Sequence, residues 1–428
     1  MRIPFPEPAP VPAADPVSLM LRPVTPHAPT AGGDTYVIAT VTGGAKPQET
    51  ARRPLNLALV LDRSGSMSGD KLALVKNAAL HLVHQLDARD RVAVVVYDDT
   101  VDVLIPSMPV TPDALPTLSM ALAAVQTGGS TNLEGGWRAG VQQVAARIGR
   151  MPGALHRVLL LTDGLANVGI TETGPLSSLA KGTASLGVVT STFGVGTDYD
   201  EQLLAAMAEA GGGNDYFIPN KEGIHPTFQA ELAELLSVVA EGVSVTINFP
   251  QGAAVKLLNP NIESKAAAGH VMVPVGFVSA EESRDLVFRV TLPRMDVGTD
   301  CAHTATATWT LPAPGGMTAA TLPWAAANDP GTPDPAVLTA VAAQEAANAR
   351  WEAYRAEKTG DYAGAARGMR RAAAGIAAYA PAMAAPMSDA LLAEADEMQG
   401  GSSPVQRKRM HNMSRRVARG KEAEPPQS

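Results

Sequence analysis

Between Leu55 and about Glu241, short apolar runs alternate with stretches whose apolar residues recur at helical spacing. Leu55-Asn56-Leu57-Ala58-Leu59-Val60-Leu61-Asp62 is such a run ending in a carboxylate, and Arg91 to Tyr97, Arg157 to Thr162, Val188 to Gly194 and Tyr216 to Pro219 repeat the signal. Nearly continuous Val and Leu runs predict strands buried on both faces, which implies a mostly parallel sheet covered by helices on each side. Lys71 to Leu86 has the spacing of one such helix. The predicted class is α/β, with a doubly wound sheet over residues 54–241.

On either side the pattern changes. Ser18-Leu19-Met20-Leu21-Arg22-Pro23 and Thr35-Tyr36-Val37-Ile38-Ala39-Thr40-Val41 read as strands, so residues 17–50 need a sheet to join. Alternation recurs in Val243 to Pro250, Val271 to Val275, Asp285 to Val290 and Thr304 to Thr310, and predicts a β-sandwich over residues 242–327 that the early strands complete. The α/β unit is then an insertion into the sandwich. Pro335 to Lys358 is Ala-rich and helical; a Thr359-Gly360 break and an Asp361 cap open a second helix to about Ala380, stopped by Pro381. This predicts a helical hairpin within residues 334–400, to which Ser388 to Gln399 adds a short third helix. Residues 1–16 are Pro-rich and read as a flexible arm. Residues 401–428 read as a basic helical tail; Ser403-Pro404 opens it, and Val405, Met410, Met413 and Val417 are expected to pack on the protein.

A chain of 428 residues exceeds what one hydrophobic core usually supports, in keeping with several domains. The net charge of -8 gives no general reason to expect nucleic acid as a partner. Positive charge concentrates only in Arg407-Lys408-Arg409, Arg415-Arg416, Arg419 and Lys421. Cys301 is the single cysteine, which excludes an internal disulfide and a cysteine-based zinc site; it reads as a sandwich residue. No apolar run reaches the roughly 20 residues of a membrane-spanning helix. Met1 to Pro6 does not resemble an export signal, so a cytoplasmic location is the expectation.

Asp62-Arg63-Ser64-Gly65-Ser66 follows its strand immediately, and Asp163-Gly164 ends another. Open α/β sheets bind ligands beyond the carboxyl ends of their strands, where the strand order reverses. If these two strands are neighbours at that point, their carboxylates face each other. Two aspartates and several hydroxyls, with no His or Cys beside them, are hard oxygen donors that favour Mg²⁺, Mn²⁺ or Ca²⁺ over zinc. Alternate spacing lets Asp62, Ser64 and Ser66 converge while Arg63 and Gly65 turn away. The loop Gly128-Gly129-Ser130-Thr131-Asn132 brings a further hydroxyl ahead of a helix. Arg63, Gly65, Ser130, Asn132 and Gly164 are the expected ligand-binding rim, Asp98 and Asp99 read as turn residues, and His81 and His84 read as solvated.

Leu57 to Ser68, Gly128 to Asn132 and Leu160-Leu161-Thr162-Asp163-Gly164 resemble, in order, the three loops of the metal-ion-dependent adhesion site of a von Willebrand factor type A domain. Carried over residue by residue, the resemblance assigns Asp62, Ser64 and Ser66 to the first loop, Thr131 to the second and Asp163 to the third. It covers about Pro54 to Glu241, and the flanking strands and helices are similar to bacterial proteins in which this domain sits within a β-sandwich. The implied activity is not enzymatic: the ion, Mg²⁺ or else Mn²⁺ or Ca²⁺, accepts an Asp or Glu carboxylate from a protein partner. Binding is then coupled to the last helix, expected near Gly223 to Ala240. Two other functions compete. One is an adaptor recruiting substrates to a Mg²⁺-dependent ATPase; the chain itself has no Gly-x-x-x-x-Gly-Lys-[Ser/Thr] loop. The other is a metal-dependent phosphoesterase, which needs a general base and a basic clamp, and Arg63 is the one nearby cation in the loops.

Overall fold

The computed structural model describes residues 15–46, 52–260, 262, 264–267, 269–311, 314–379, 385–398 and 402–419. Most of the predicted N-terminal arm, Pro381 and Lys421 lie outside them.

The chain begins with β1 (Val17–Pro23), a two-residue β2 (Ala28–Pro29) and β3 (Gly33–Gly43), with β1 and β3 antiparallel. The α/β block follows: β4 (Leu55–Asp62), α1 (Asp70–His84), β5 (Arg91–Tyr97), β6 (Val101–Pro109), α2 (Leu115–Ala124), α3 (Leu133–Ala145), β7 (Leu155–Thr162), α4 (Thr173–Ser185), β8 (Val188–Val195), α5 (Glu201–Ala210), β9 (Gly212–Ile218) and α6 (Ile224–Leu236). Its strands are ordered β6-β5-β4-β7-β8-β9, all parallel except β6, which runs antiparallel to β5. Every residue of β4 and β7 is buried, as expected of central strands covered on both faces. Leu55, Leu57, Leu59 and Leu61 face a core shared with α1, α2 and α6, whereas Ala58 and Val60 face α3, α4 and α5. The α3 helix lies close to the sheet: a Cβ on Gly136 would meet the Tyr97 ring at 2.5 Å, and one on Gly140 would meet Val60 Cγ2 at 2.4 Å.

The chain leaves the block through Ser237 alone and enters β10 (Val238–Asn248) directly. The helix expected up to Ala240 therefore stops at Leu236, because Val238, Ala240, Val243, Val245 and Ile247 are buried at strand positions. After it come β11 (Ala254–Leu257), β12 (Lys265–Ala267), β13 (His270–Ser279), β14 (Ser283–Leu292), β15 (His303–Trp309), β16 (Gly316–Leu322) and β17 (Ala326–Ala327), the last pairing with β2. Among the described residues these strands form two antiparallel sheets, β1-β3-β14-β11 and β12-β13-β10-β15-β16. They share one core that includes Val37, Val41, Val245, Ile247, Phe288, Trp309 and Cys301. The α/β block thus sits between β3 and β10, interior strands of the two facing sheets.

Helices α7 (Pro335–Lys358), α8 (Tyr362–Tyr379), α9 (Ala385–Met398) and α10 (Pro404–Ala418) complete the chain. Asp361 caps α8 by accepting from the Gly364 amide at 2.8 Å. Small Ala faces bring α7, α8 and α9 together around Met369, Ile376 and Leu391. The expected apolar seat of α10 is met only in part. Of Val405, Met410, Met413 and Val417, only Met410 is buried, while Lys408, His411 and Arg415 are buried beside it. The reason lies across the interface, where α5 and β9 present Glu201, Glu209 and Asp215 to the basic residues. Lys408 Nζ donates to Glu201 Oε2 and to the Tyr199 carbonyl, each at 2.7 Å, and Arg415 Nε donates to Asp215 Oδ1 at 3.1 Å. Among the described residues, no helix is long and apolar enough to cross a membrane.

Candidate functional site

The sheet reverses between β4 and β7: the chain moves from β4 outward to β5 and β6, then returns to β7 on the other side. The crevice of an open α/β sheet lies above such a point. Asp62 ends β4 and Asp163 follows β7, and Leu61 is paired with Leu161, one residue before Asp62 and two before Asp163, so the two carboxylates emerge from neighbouring strand ends.

Hydrogen bonds join them into one group. The Ser64 amide donates to Asp62 Oδ1 at 2.7 Å and the Thr162 hydroxyl to Oδ2 at 2.6 Å. Ser64 and Ser66 hydroxyls lie 3.1 Å apart, and Ser66 donates to Asp163 Oδ1 at 2.6 Å. Asp62 and Asp163 are both fully buried. Burial pushes the Asp62 carboxyl up to about 6, against the Ser64 and Thr162 hydrogen bonds that favour its charged form.

Thr131 reaches the same place from the loop before α3. A Cβ placed on Gly164 would be 3.3 Å from Ser66 Oγ and 3.7 Å from Thr131 Oγ1, so both hydroxyls surround the open side of this glycine. The Asn167 side chain holds the Thr131 amide at 2.8 Å, and the Thr131 carbonyl accepts from the Asn167 amide. Backbone bonds fasten the first two loops, from the Gly65 amide to the Gly129 carbonyl (3.0 Å) and from the Gly128 amide to the Arg63 carbonyl (2.7 Å).

Not every expected rim residue faces a ligand. Arg63 turns away to the β5–β6 turn, where Nη2 donates to Asp102 Oδ2 at 2.6 Å and to the Thr100 hydroxyl at 2.9 Å; Asp98 also pairs with it. Three oxygen acceptors on that turn outcompete water for the guanidinium. Asn132 uses its side-chain oxygen to cap α3 through the Gly135 amide at 2.9 Å. Gly65, Ser66 and Ser130 are exposed at the rim, with Gly164 half-buried. Asp98 does occupy a turn, accepting from the Thr100 amide and hydroxyl, and it also receives Asn132, whose amide donates to the Asp98 carbonyl. His81 and His84 are both exposed.

One residue at the site went unread in the sequence. Lys71, in the first turn of α1, places Nζ 2.6 Å from Asp163 Oδ2 and 3.4 Å from the Ser66 carbonyl. Its only sequence signal is position, five residues beyond Ser66, where a surface helix commonly carries a solvated lysine.

Comparison with known proteins matches the same segment. The von Willebrand factor type A domain family covers residues 56–230. Uncharacterized protein YfbK of Escherichia coli is 31% identical over 242 residues, spanning 56% of this chain and 41% of YfbK, so the match reaches less than half of that relative. The structure of a von Willebrand factor type A protein from Catenulispora acidiphila superposes with a TM-score of 0.69 at 19% identity, covering 89% of each chain. The ArnB paralog VWA2 from Sulfolobus acidocaldarius does so with a TM-score of 0.60 at 16% identity, over 94% of this chain and 99% of its own. At these identities the two structures speak for the fold alone. Residues 56–230, with their reversal between β4 and β7, are a von Willebrand factor type A domain.

Proposed function

We propose that this protein is a non-catalytic, metal-dependent protein-interaction module. In this reading Asp62, Ser64, Ser66, Thr131 and Asp163 hold one divalent cation, Mg²⁺ or alternatively Mn²⁺ or Ca²⁺. When bound, that ion offers a coordination position to an Asp or Glu carboxylate on a partner protein. The observation that carries the reading is the hydrogen-bonded chain from Asp62 through Ser64 and Ser66 to Asp163 at the sheet reversal.

The donor chemistry fits a hard cation, since every candidate ligand atom is oxygen. Among the described residues no three His, Cys, Asp or Glu side chains are grouped so as to hold an ion, so a cation here depends on the serine and threonine hydroxyls. Thr162 and the Ser64 amide orient Asp62, and Asn167 orients Thr131. Exposed Ser66, Ser130 and Leu165 form the surface a partner meets. Arg63, tied to Asp98 and Asp102, is not placed to clamp a phosphate, and Lys71, the cation that does reach the site, is engaged by Asp163. We further read residues 17–50 and 242–327 as one β-sandwich that carries the inserted domain 54–241, with residues 334–400 as a helical unit.

The test is a calorimetric titration of Mg²⁺ into the wild type and Asp62→Asn, followed by partner capture with Mg²⁺ or with EDTA. The reading expects binding by the wild type alone and capture that EDTA abolishes. Absence of Mg²⁺ binding by the wild type, or equal capture under all conditions, contradicts it.

A further inference from the structure

Of the four carboxylate oxygens in the candidate site, three accept from the site's own framework: Asp62 Oδ1 from the Ser64 amide, Asp62 Oδ2 from the Thr162 hydroxyl and Asp163 Oδ1 from Ser66. The fourth, Asp163 Oδ2, accepts from the Lys71 ammonium. That oxygen therefore already neighbours a full positive charge supplied by the chain itself. An ammonium repels a second cation at contact range, so its charge at this oxygen works against a metal at the same carboxylate.

We propose that Lys71 is a tethered cation that competes with the metal for Asp163 and is displaced when the metal binds. The inference rests on the metal reading above. Three features make displacement feasible. The Lys71 side chain is 34% exposed, whereas the Asp163 side chain is fully buried, so the lysine is the member of the pair that has somewhere to go. Its charge sits at the end of a flexible four-carbon stem that tolerates many rotamers. The neighbouring Asp70, the other charged residue of that turn, is engaged by Lys221 and so is not the partner that holds Lys71 in place. In the metal-free protein the ammonium neutralises a buried carboxylate that would otherwise face the second one, Asp62, at the same reversal.

The experiment compares Mg²⁺ affinity of the full chain by calorimetry in the wild type, Lys71→Met, Lys71→Arg and Asp62→Asn, with thermal melts to verify folding. It also maps reductive methylation of Lys71 by mass spectrometry with and without Mg²⁺. Removing an ion pair to a partly exposed lysine is expected to tighten Mg²⁺ binding about two- to fivefold in Lys71→Met. Lys71→Arg keeps the competing charge and is expected to stay near the wild type. Labelling of Lys71 is expected to rise with Mg²⁺ in the wild type and not in Asp62→Asn. Binding in Lys71→Met that equals or falls below the wild type, with labelling indifferent to Mg²⁺, overturns the competition and leaves the metal site standing. Failure of both the wild type and Lys71→Met to bind Mg²⁺ removes the metal reading and this inference with it. Binding by Lys71→Met alone supports the competition in its strongest form.

Discussion

A Cβ on Gly128 would fall 1.6 Å from Asp98 Oδ2, and one on Gly129 would fall 2.3 Å from Asp99 Oδ1. The pair of glycines before Ser130 is there because the β5–β6 turn presses its carboxylates against that backbone. Gly128→Ala must push Asp98 off Thr100 and Arg63, the contacts that order both loops. We expect it to cost about 1–3 kcal/mol, as overpacking usually does, and to weaken Mg²⁺ binding although no ligand is touched. Thermal melts and calorimetry on the same sample check both, and an unchanged affinity would show that the loop does not position Thr131. The convergence of Asp62, Ser64, Ser66, Thr131 and Asp163 was legible in the sequence because each sits at a strand end or beside glycines, where the pattern of apolar runs places it. Lys71 and the true direction of Arg63 were not legible, since both depend on what another loop presents. A long charged side chain is fixed by its partner rather than by its neighbours in sequence.

At the scale of elements, α10 meets the α/β block through ionic contacts with Glu201, Glu209 and Asp215. Burial raises the Glu201 carboxyl, yet the Lys408 ammonium and the Tyr354 hydroxyl prevail and hold it at about 2. Lys408 is itself pulled down by burial in spite of Glu201, so the pair is worth less than the carboxylate's shift taken alone. A carboxylate depressed in the folded state adds stability that is fully present above its ordinary value near 4.5 and is lost as pH falls toward about 2. Glu201→Gln should thus cost about 3 kcal/mol at pH 7, the low end for breaking a buried pair, with the difference from wild type closing over that window. Urea unfolding at several pH values measures it; a pH-independent difference would assign the loss to packing. Two strands show why element boundaries were harder to read than element types. β6 is not legible in the sequence because an edge strand tolerates Pro106, Pro109 and exposed polar residues that break the strand signal. β9 begins at Gly212 rather than Tyr216, since Gly212-Gly213 reads as a turn when its partner β8 is not in view.

Across the whole molecule, His303 and His411 sit in different cores, and burial pushes both imidazoles down to about 4. Among the described residues neither Nε2 has a hydrogen-bond partner. Unfolding lets these rings take up protons at their ordinary value of 6.5, so stability falls as pH drops from about 6.5 toward 4. The loss should reach on the order of 2 kcal/mol per histidine by pH 4. Thermal midpoints between pH 7 and 5 test this, and a flat series would mean that water reaches one or both rings. The fold class was legible at this scale because continuous and alternating apolar patterns separate a covered sheet from facing sheets. The union of α10 with α7 and the α/β block was not, because contacts such as Tyr354 with Glu201 link residues far apart in sequence.

The placement of the α/β block between β3 and β10 has a mechanical consequence. The site lies above the carboxyl ends of the parallel strands, whereas the chain enters at the start of β4 and leaves from α6, which runs back beside them. Under the proposed function, a pull on a partner held at the site would exit at the opposite end, through two covalent tethers. Each tether is an interior strand, β3 between β1 and β14, and β10 between β13 and β15. Tension along such a strand meets ladder hydrogen bonds set across its direction on both sides, so they resist together as shear instead of opening one at a time from an edge. Under that reading the two sheets would divide the load.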